Sequence, residues 1–513
     1  MKKYYITTPI YYVNDSPHIG HAYTTIAADA LARFRRLRGG EVFFLTGTDE
    51  YGRKIEQTAA KNGETPQQLA DRVVERFKSL WTLLNIENDD FIRTTEQRHG
   101  KCARKVFRAA LENGDIYPGE YEGWYDVREE SFITETQMDE INKLPEEKRP
   151  EIEKIKEPCF FFKLSEYQDR LLEHYEKNPG FVMPKERMNE VRSFVESGLR
   201  DLSISRTTFS WGVEVPENPG HVMYVWFDAL SNYLTAAGFE SDGERFANTW
   251  PANLHLVGKD ILRFHAVYWP AFLMAAGLEP PQRIFAHGWW TVEGEKMSKS
   301  LGNTVDPVEV AGEFGVDAFR YFLLREIPFG NDGDFSRRAL ISRINSDLAN
   351  GLGNLTSRAL GMVERYFDGV VPPGGEAECG NSGVKKAAET CETGIPAAMD
   401  DVAPSRALSL LWELIAAADR FVEETKPWEL HKKGEKEKLS AVMWTLCETL
   451  RIVAVHVFPF MPEAGARLWE KLGFEHSPAR ADARLVSTGW GVTESGTRVK
   501  KGENLFNRIE DGN

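Results

Sequence analysis

Two short motifs, far apart in the sequence, carry side chains suited to phosphate chemistry. The first is HIGH at residues 18–21, and the second is KMSKS at residues 296–300. A helix N-terminus attracts phosphate through its N–H groups and partial positive charge, so His18 and His21 at a helix start could donate hydrogen bonds to phosphoryl oxygens. Gly20 would let a nucleotide approach the backbone closely.

The second motif supplies positive charge on a segment that glycines could make mobile. Lys296 and Lys299 are separated by Met297 and the flexible Ser298, with Gly294 before them and Gly302 after them. Negative charge builds on a departing pyrophosphate, and a lysine pair can stabilise it. Each motif alone could be a capped helix start or a solvated loop. Together they predict the two halves of an ATP site for adenylyl chemistry.

The elements around the first motif predict a parallel sheet. Residues 4–13 are typical of a buried strand, and apolar residues at helical spacing predict a helix from His18 to Leu37, stopped by two glycines. Residues 41–49 form a second predicted strand. This β-α-β pattern indicates parallel strands, whose ligands bind at the carboxyl ends. We therefore expect His18, His21 and Asp49 at one rim of the sheet.

The rest of the chain predicts an insertion and then a helical half. Aromatic short strands and a charged stretch interrupt the alternation between residues 115 and 222, which indicates a small sheet of its own. Further strands are predicted at residues 224–228, 255–260 and 283–288. Beyond residue 336 we expect a helix bundle, with a long helix marked by Leu340, Ile341, Ile344, Leu348, Leu352 and Leu355, helices near 402–425, 436–458 and 462–472, and a loop from residue 371 onward.

Composition limits the class of protein. The chain has 513 residues, a net charge of −15 and no run of 18 apolar residues, so we expect several domains and no membrane span. The first strand leaves no room for a signal peptide, which favours the cytoplasm. Five scattered cysteines without a C-x-x-C pair favour buried thiols. Basic stretches at residues 33–38 and at Arg337, Arg338 and Arg343 could bind RNA or be solvated helix faces.

The two motifs resemble the signature pair of class I aminoacyl-tRNA synthetases, and the surrounding sequence is closest to the methionyl-tRNA synthetase family. The resembling segments cover essentially the whole chain and include residues 8–14, 47–52, 224–230, 257–260 and 287–290. The resemblance implies a Rossmann-like doubly wound α/β catalytic domain with a small inserted β-containing connective domain, followed by an α-helical bundle. We place the boundaries at 1–114, 115–222, 223–335, 336–480 and 481–513, where the last segment returns to the body.

The resemblance also implies the reaction and its residues. Methionine and Mg²⁺-ATP give methionyl-adenylate, and the methionyl group then passes to the 3′ end of tRNA(Met). ATP would be bound by His18, Gly20, His21, Gly258, Asp260, Lys296 and Lys299, of which the histidines and lysines are catalytic. Methionine would be bound by Ile10, Tyr12, Asp49, Trp226, Ala229, Leu230, Tyr233, Ile261 and His265. Asp49 would anchor the ammonium group, with Arg206 paired to that acidic network.

Aromatic walls suit the flexible, polarizable side chain of methionine. Tyr12 or His265 could donate a weak hydrogen bond to its sulfur, which leucine lacks. For Trp226 and Tyr233 plain core packing is the alternative.

The helical half carries residues that resemble the anticodon readers of the family. They are Asn354 and Arg358, which spacing of four places on one helix face, and Pro427 with Trp428. An exposed tryptophan could stack on an unpaired base, whereas a core position is the alternative for Trp428.

The chain departs from many relatives in the insertion. Asp126 and Glu129 stand where those relatives have zinc-ligating cysteines, so we expect no structural zinc and a salt-bridge replacement instead. The insertion is too short for an editing domain, which counts against the isoleucine, valine and leucine enzymes. We expect a monomer that binds neither membrane nor DNA. A cysteine-specific synthetase, a small-molecule nucleotidyltransferase and an inactive tRNA-binding paralogue remain as competing hypotheses.

Overall fold

The computed structural model describes the chain except for residues 1–2, 14–15, 127–130, 134, 146–148, 151, 217, 293–294, 297–303, 375–381 and 511–513. Elements before residue 200 are β1 (Tyr4–Tyr12), α1 (Ile19–Leu37), β2 (Val42–Asp49), α2 (Arg53–Asn62), α3 (Pro66–Leu83), β3 (Asp90–Arg93), α4 (Gln97–Glu112), β4 (Ile116–Asp126), β5 (Ser131–Ile133), α5 (Glu135–Asn142), β6 (Ile152–Phe162), α6 (Gln168–Lys177), β7 (Val182–Met183) and α7 (Lys185–Glu196).

Elements between residues 200 and 335 are β8 (Leu202–Ser203), β9 (Ser205–Arg206), β10 (Val222–Met223), α8 (Val225–Leu230), α9 (Asn232–Ala237), α10 (Gly243–Thr249), β11 (Leu254–Gly258), α11 (Trp269–Ala275), β12 (Ile284–His287), β13 (Trp290–Val292), β14 (Glu295–Lys296), α12 (Pro307–Phe314), α13 (Val316–Arg325) and β15 (Gly333–Phe335). The helical half contains α14 (Arg337–Arg343), a π-helical stretch (Ile344–Gly353), α15 (Asn354–Phe367), α16 (Ser382–Asp400), α17 (Pro404–Thr425), α18 (Pro427–Lys433), α19 (Lys436–Val457) and α20 (Pro462–Lys471).

The contacts group the chain into two compact units. The first unit comprises residues 1–17, 41–81 and 88–287. The second comprises residues 18–40, 82–87 and 288–513, so α1 belongs by its contacts with the helical half.

Six described strands of the first unit form a parallel sheet in the order β3-β2-β1-β11-β12-β7. The predicted strands at the start of the chain are confirmed, and β1 pairs in parallel with both β2 and β11. The edge strand β7 comes from within residues 115–222 and pairs with β12. The same stretch also forms the expected small sheet, in the order β5-β4-β6-β8. Gly47 is required in β2 because a side chain there would lie 2.0 Å from the Ile92 carbonyl oxygen.

Two sequence predictions are wrong. Residues 224–228, predicted as a strand, lie at the start of α8, because a short apolar run such as residues 224–227 has the same pattern in a buried helix as in a buried strand. The loop predicted after residue 371 contains α16, whose many small residues gave a weak apolar stripe. Proline inside this helix, at Pro396, further obscured the pattern.

The expected helix bundle is present in the second unit. The long helix predicted from Leu340 to Leu355 is an uninterrupted helical run from α14 through the π-helical stretch into α15. The helix α19 is long and apolar enough to cross a membrane, but 89% of its apolar window is buried inside the protein, as in the core helix of a soluble domain. Four of the cysteines, Cys102, Cys159, Cys391 and Cys447, are buried free thiols.

Candidate active site

The helix α1 begins with its two histidines in reciprocal capping. His18 is the N-cap, and its Nδ1 accepts a hydrogen bond from the backbone N–H of Gly20 at 3.1 Å. The Nδ1 of His21 accepts from the backbone N–H of His18, also at 3.1 Å. An imidazole nitrogen that accepts carries no proton, so each neutral ring must carry its proton on Nε2. The capping thus fixes both rings in the tautomer that donates from Nε2.

The two rings lie side by side at this helix start. Their centroids are 3.9 Å apart with an interplanar angle of 32°. Burial and the neighbouring His18 hold the pKa of His21 well below its ordinary value, so this ring is neutral at pH 7. A side chain at Gly20 would begin 3.0 Å from the His18 ring and crowd it. The first turn of α1 has no acidic residue, which leaves the helix dipole available to an anion.

The lysine motif is only partly within the described chain. Lys296 ends β14, and its backbone pairs with Thr291 of β13. Lys299 lies outside the described residues. The clamp role of the two lysines therefore stays a prediction.

In the first unit, the direction in which strands are added to the parallel sheet reverses between β1 and β11. β1 pairs with β11 only at Ile6 and Thr7, whereas it continues beside β2 as far as Tyr12 and Asp49. Beyond Thr7 the two strands diverge. Ligands of open parallel sheets bind at such a reversal point.

Most residues predicted to bind methionine lie on elements that follow this edge. Ile10 and Tyr12 are the partly exposed end of β1, and Trp226 and Ala229 share one face of α8 because they are three residues apart. Trp226 stacks on Phe264 with centroids 3.8 Å apart and planes 3° from parallel. Ala229, Leu230, Tyr233 and His265 are buried, whereas Ile261 is partly exposed.

His265 lies in a π-helical turn, Phe264–Tyr268, a backbone form often found at functional sites. Its Nδ1 lies 3.0 Å from the Ile261 carbonyl oxygen, and its Nε2 lies 2.8 Å from the Tyr233 hydroxyl. Because a carbonyl only accepts, Nδ1 carries the proton and Nε2 accepts from Tyr233. Burial lowers the pKa of His265 to about 4, so the ring is neutral at pH 7.

This geometry corrects one sequence expectation. A neutral His265 uses its only N–H on Ile261, so it has no proton to donate to the sulfur of methionine. Its Nε2 instead orients the Tyr233 hydroxyl by accepting its hydrogen bond.

Asp49 is the last residue of β2 and lies opposite Tyr12 in the strand register. The pKa of the adjacent Tyr51 is raised by burial and then by the carboxylates of Asp228 and Glu50, and by Asp49 to a smaller extent, while Arg104 acts in the opposite direction. Arg93 compensates Glu50 through two contacts of 2.7 and 3.0 Å. A carboxylate at Asp49 has the sign of charge that an ammonium group requires.

Arg206, expected beside the acidic network of Asp49, is buried and lies 3.9 Å from Glu157. It also donates to the Ser205 carbonyl oxygen at 2.7 Å and lies over the Tyr224 ring.

Gly258 and Asp260, predicted to bind ATP, lie at the carboxyl end of β11 and just after it. A Cβ at position 258 would lie 2.5 Å from Oδ1 of Asp260, so glycine leaves room for that side chain. Asp260 itself is exposed.

Two residues that contact the predicted methionine-binding side chains were not predicted from the sequence. Phe264 stacks on Trp226, and the buried His255 packs 4.2 Å from the Tyr233 ring while bonding to Thr7 at 2.8 Å. His255 lies in β11, whose other residues have the pattern of an ordinary core strand. The one signal in the sequence was a polar residue inside that apolar strand.

The residues predicted to read the anticodon lie in the second unit. Asn354 is exposed at the start of α15, and Arg358 bonds to Glu423 near the end of α17 at 2.5 Å. Lys426 then takes a left-handed conformation, with φ of 44°, and joins α17 to α18, which begins at Pro427. Trp428 is half-buried, between the exposed and the core alternatives.

Of the two acidic residues for which we expect a salt-bridge replacement of a zinc site, only Asp126 is described, so the absence of structural zinc stays a prediction. Asp126 is buried in β4 and pairs across the sheet with Ser131 and Ile152, while Glu129 lies outside the described residues. Within the described part of the chain no group of three His, Cys, Asp or Glu side chains could hold a metal ion.

Comparison with protein families gives two matches that together cover most of the chain. The model of class I tRNA synthetases (M) matches residues 4–143 and 144–360. The model of the anticodon binding domain of methionyl tRNA ligase matches residues 371–513.

Individual relatives agree with these families. The chain is 49% identical over 511 residues to the methionine–tRNA ligase of Caldanaerobacter subterraneus, covering 99% of this chain and 79% of the relative. It is 50% identical to that of Rickettsia conorii, covering 92% of each. Among solved structures, Mycobacterium tuberculosis methionyl-tRNA synthetase in complex with methionyl-adenylate is 46% identical with a TM-score of 0.94, covering 99% of this chain and all of the other.

Proposed function

This chain belongs to the class I methionyl-tRNA synthetase family, and from that membership we propose a role for each group of residues in the site. The chain is a ligase that activates methionine with ATP and transfers the methionyl group to tRNA. The first step forms methionyl-adenylate and pyrophosphate, and the second esterifies the tRNA 3′ end.

His18 and His21 stabilise the transition state of adenylate formation by donating from Nε2 to phosphoryl oxygens. The reciprocal capping at the start of α1 is the observation that carries this proposal, because it uses both Nδ1 atoms and leaves Nε2 as the protonated nitrogen. Donors fixed in advance need no reorganisation as charge develops. Gly20 gives the His18 ring its space, and Lys296 and Lys299 neutralise the departing pyrophosphate.

Methionine lies beside the carboxyl end of β1, with its ammonium group on Asp49. Its side chain packs against Trp226, Ala229 and Leu230, with Ile10, Tyr12, Tyr233, Ile261 and His265 as the further walls. Stacking on Phe264 keeps the Trp226 indole in one orientation, which supports a pocket of defined shape. Gly258 and Asp260 bind the nucleotide.

The helical half reads the anticodon of tRNA(Met) through Asn354, Arg358, Pro427 and Trp428. The Arg358–Glu423 pair places the Arg358 face of α15 next to the joint that carries Trp428. A half-buried indole keeps one face for stacking on a base while its other face is packed.

We further propose that ATP enters as its Mg²⁺ complex, that the enzyme works as a monomer in the cytoplasm, and that its domains divide at residues 114, 222, 335 and 480. The chain and tRNA are both negatively charged, so long-range attraction does not draw them together. The net charge of −15 therefore fits a tRNA that is bound through local contacts.

Methionine-dependent ATP–pyrophosphate exchange tests the proposal. Each of the twenty amino acids is assayed separately with the purified chain, followed by charging of tRNA(Met). Exchange stimulated by methionine alone is expected. Stimulation by another amino acid, or by none, would overturn the assignment of substrate.

The anticodon role is tested by Trp428→Ala, with Trp412→Ala as the control. Trp412 is also in the helical half, but it is packed on Tyr321 at 4.5 Å and bonded to the Asp347 carbonyl. Loss of Trp428 should weaken charging while leaving methionine-dependent exchange nearly unchanged. An equal loss of both activities, as expected for the control, would make Trp428 a packing residue.

A further inference from the structure

A fully buried arginine connects α1 to the helical half. Arg320, in α13, is 0% exposed. Its guanidinium donates from Nη2 to the carboxylate of Asp29 in α1 at 2.6 Å, and from Nε to the Phe460 carbonyl oxygen at 2.9 Å. Nη1 donates to the Leu84 carbonyl oxygen at 3.0 Å. One planar group therefore joins three separate segments of the second unit.

The carboxylate of Asp29 is the centre of this cluster. Its Oδ2 also accepts from Nε of Arg33 at 2.8 Å, and its Oδ1 accepts from the backbone N–H of Glu87 at 2.8 Å. Arg33 in turn donates to the Asn85 carbonyl oxygen at 2.6 Å. Asp29 is itself fully buried, so each contact is made away from water, where a displaced partner cannot be replaced by solvent.

Two members of this cluster, Asp29 and Arg33, lie on α1, the helix that begins at His18 and His21. Asp29 follows His18 by eleven residues, or about 16 Å along the helix axis at 1.5 Å per residue. Asp29 and Arg320 lie within the match to the class I synthetase model, whereas Phe460 lies within the match to the anticodon binding domain. If the backbone at Phe460 moves, either the hydrogen bonds of Arg320 break or α1 moves with it.

We propose that Arg320 is a positioning residue that couples anticodon binding to His18 and His21. Binding of the anticodon by the helical half shifts the backbone at Pro459 and Phe460, whose carbonyl oxygens accept from Arg320 at 3.2 and 2.9 Å, and Arg320 passes that shift to α1 through Asp29. The inference rests on the proposed function, because it needs a helical half that binds the anticodon and histidines that act on phosphate.

Arg320→Lys tests the coupling, because the three donors of an ammonium group sit on one nitrogen and cannot reproduce the spread of the five guanidinium donors across three segments. Arg451→Lys is the matched control. Arg451 is equally buried, and its hydrogen bonds go to Glu448 and to carbonyl groups of residues 485–489, not to α1. Both variants lose a comparable set of buried bonds.

Three rates are measured for each protein: methionine-dependent exchange without tRNA, charging of tRNA(Met), and charging of the same tRNA with an altered anticodon. For Arg320→Lys we expect the ratio of charging kcat between the two tRNAs to fall about tenfold, the size of a typical allosteric coupling. The ratio of KM values should persist, because the anticodon contacts are intact. Arg451→Lys should lower Tm and leave both ratios unchanged.

Asp29→Asn provides a second variant of nearly the same shape, with a smaller fall in the same kcat ratio expected. An unchanged kcat ratio in Arg320→Lys, or in Asp29→Asn if the former does not fold, overturns the inference. The inference is also overturned if Arg320→Lys and Arg451→Lys change the kcat ratio equally, or if the wild-type kcat is the same for both tRNAs. Loss of methionine-dependent exchange in the wild type would instead overturn the proposed function.

Discussion

The reciprocal capping of His18 and His21 predicts that stability and catalysis can be separated by substitution. His18→Ala removes both the acceptor for the Gly20 N–H and the Nε2 donor. Loss of an N-cap acceptor costs about 1 kcal/mol of unfolding free energy. Loss of a hydrogen bond to a charged group costs about 1.5–3 kcal/mol, or roughly 10- to 150-fold in kcat/KM for ATP.

Two further variants keep the cap while removing the imidazole donor. In His18→Asn the side-chain oxygen can still accept from the Gly20 N–H, because asparagine is a good N-cap residue. In His21→Gln the side chain can still reach back to the His18 N–H, since glutamine at the third helical position completes a capping box. Both should unfold within about 0.5 kcal/mol of the wild type and still lose roughly 10- to 150-fold in ATP–pyrophosphate exchange.

The free energy of unfolding in urea and the rate of ATP–pyrophosphate exchange are measured for the three variants and compared with the wild type. Wild-type exchange in His18→Asn would refute the role of Nε2 as the phosphate donor. An unchanged unfolding free energy in His18→Ala would refute the capping. The low pKa of His21 adds a further expectation: since that ring is neutral throughout, kcat/KM for ATP should show no titration from it between pH 6 and 8.

Three more outcomes follow from the described geometry. Asp49→Asn should raise KM for methionine by roughly 10- to 150-fold, because the ammonium group loses its charged partner, and an unchanged KM in exchange assays would exclude this anchor. Burial raises the pKa of Asp317 to about 6 from an unfolded value of 3.8, so this group favours the folded state below about pH 4 and costs up to about 3 kcal/mol above pH 6. Asp317→Asn should therefore gain stability relative to the wild type as pH rises from 4 to 7 in thermal unfolding, and a pH-independent difference would contradict the shift. Glu423→Gln should lower KM for tRNA a few-fold by releasing Arg358 from a 2.5 Å pair, whereas Arg358→Ala should raise it; a higher KM in both would mean that the pair itself is what the tRNA requires.

Much of the fold could be predicted because single segments specify it. β1, α1 and β2 each have an unambiguous apolar period and clear ends, and the parallel pairing of β1 with β2 follows from the crossover between them. Residues 224–228 could not be assigned from their pattern alone, since a short apolar run looks the same in a buried strand and in a buried helix. The tautomers of His18, His21 and His265 were beyond sequence reasoning for a related reason. Each is set by which backbone atom the ring meets, and only the folded geometry provides that atom.

The distance along the chain between Asp29 and its partners has a consequence for biosynthesis. Arg320 is made 291 residues after Asp29, a delay of about 15–60 s at ribosomal rates of roughly 5–20 residues per second. Phe460 comes later still. During this interval α1 can form the local pair of Asp29 with Arg33 and, once residues 85–87 are made, their bonds to Asn85 and Glu87, but it lacks Arg320 and the Phe460 carbonyl group. The helix that carries His18 and His21 is therefore one of the first elements to leave the ribosome and one of the last to complete its packing.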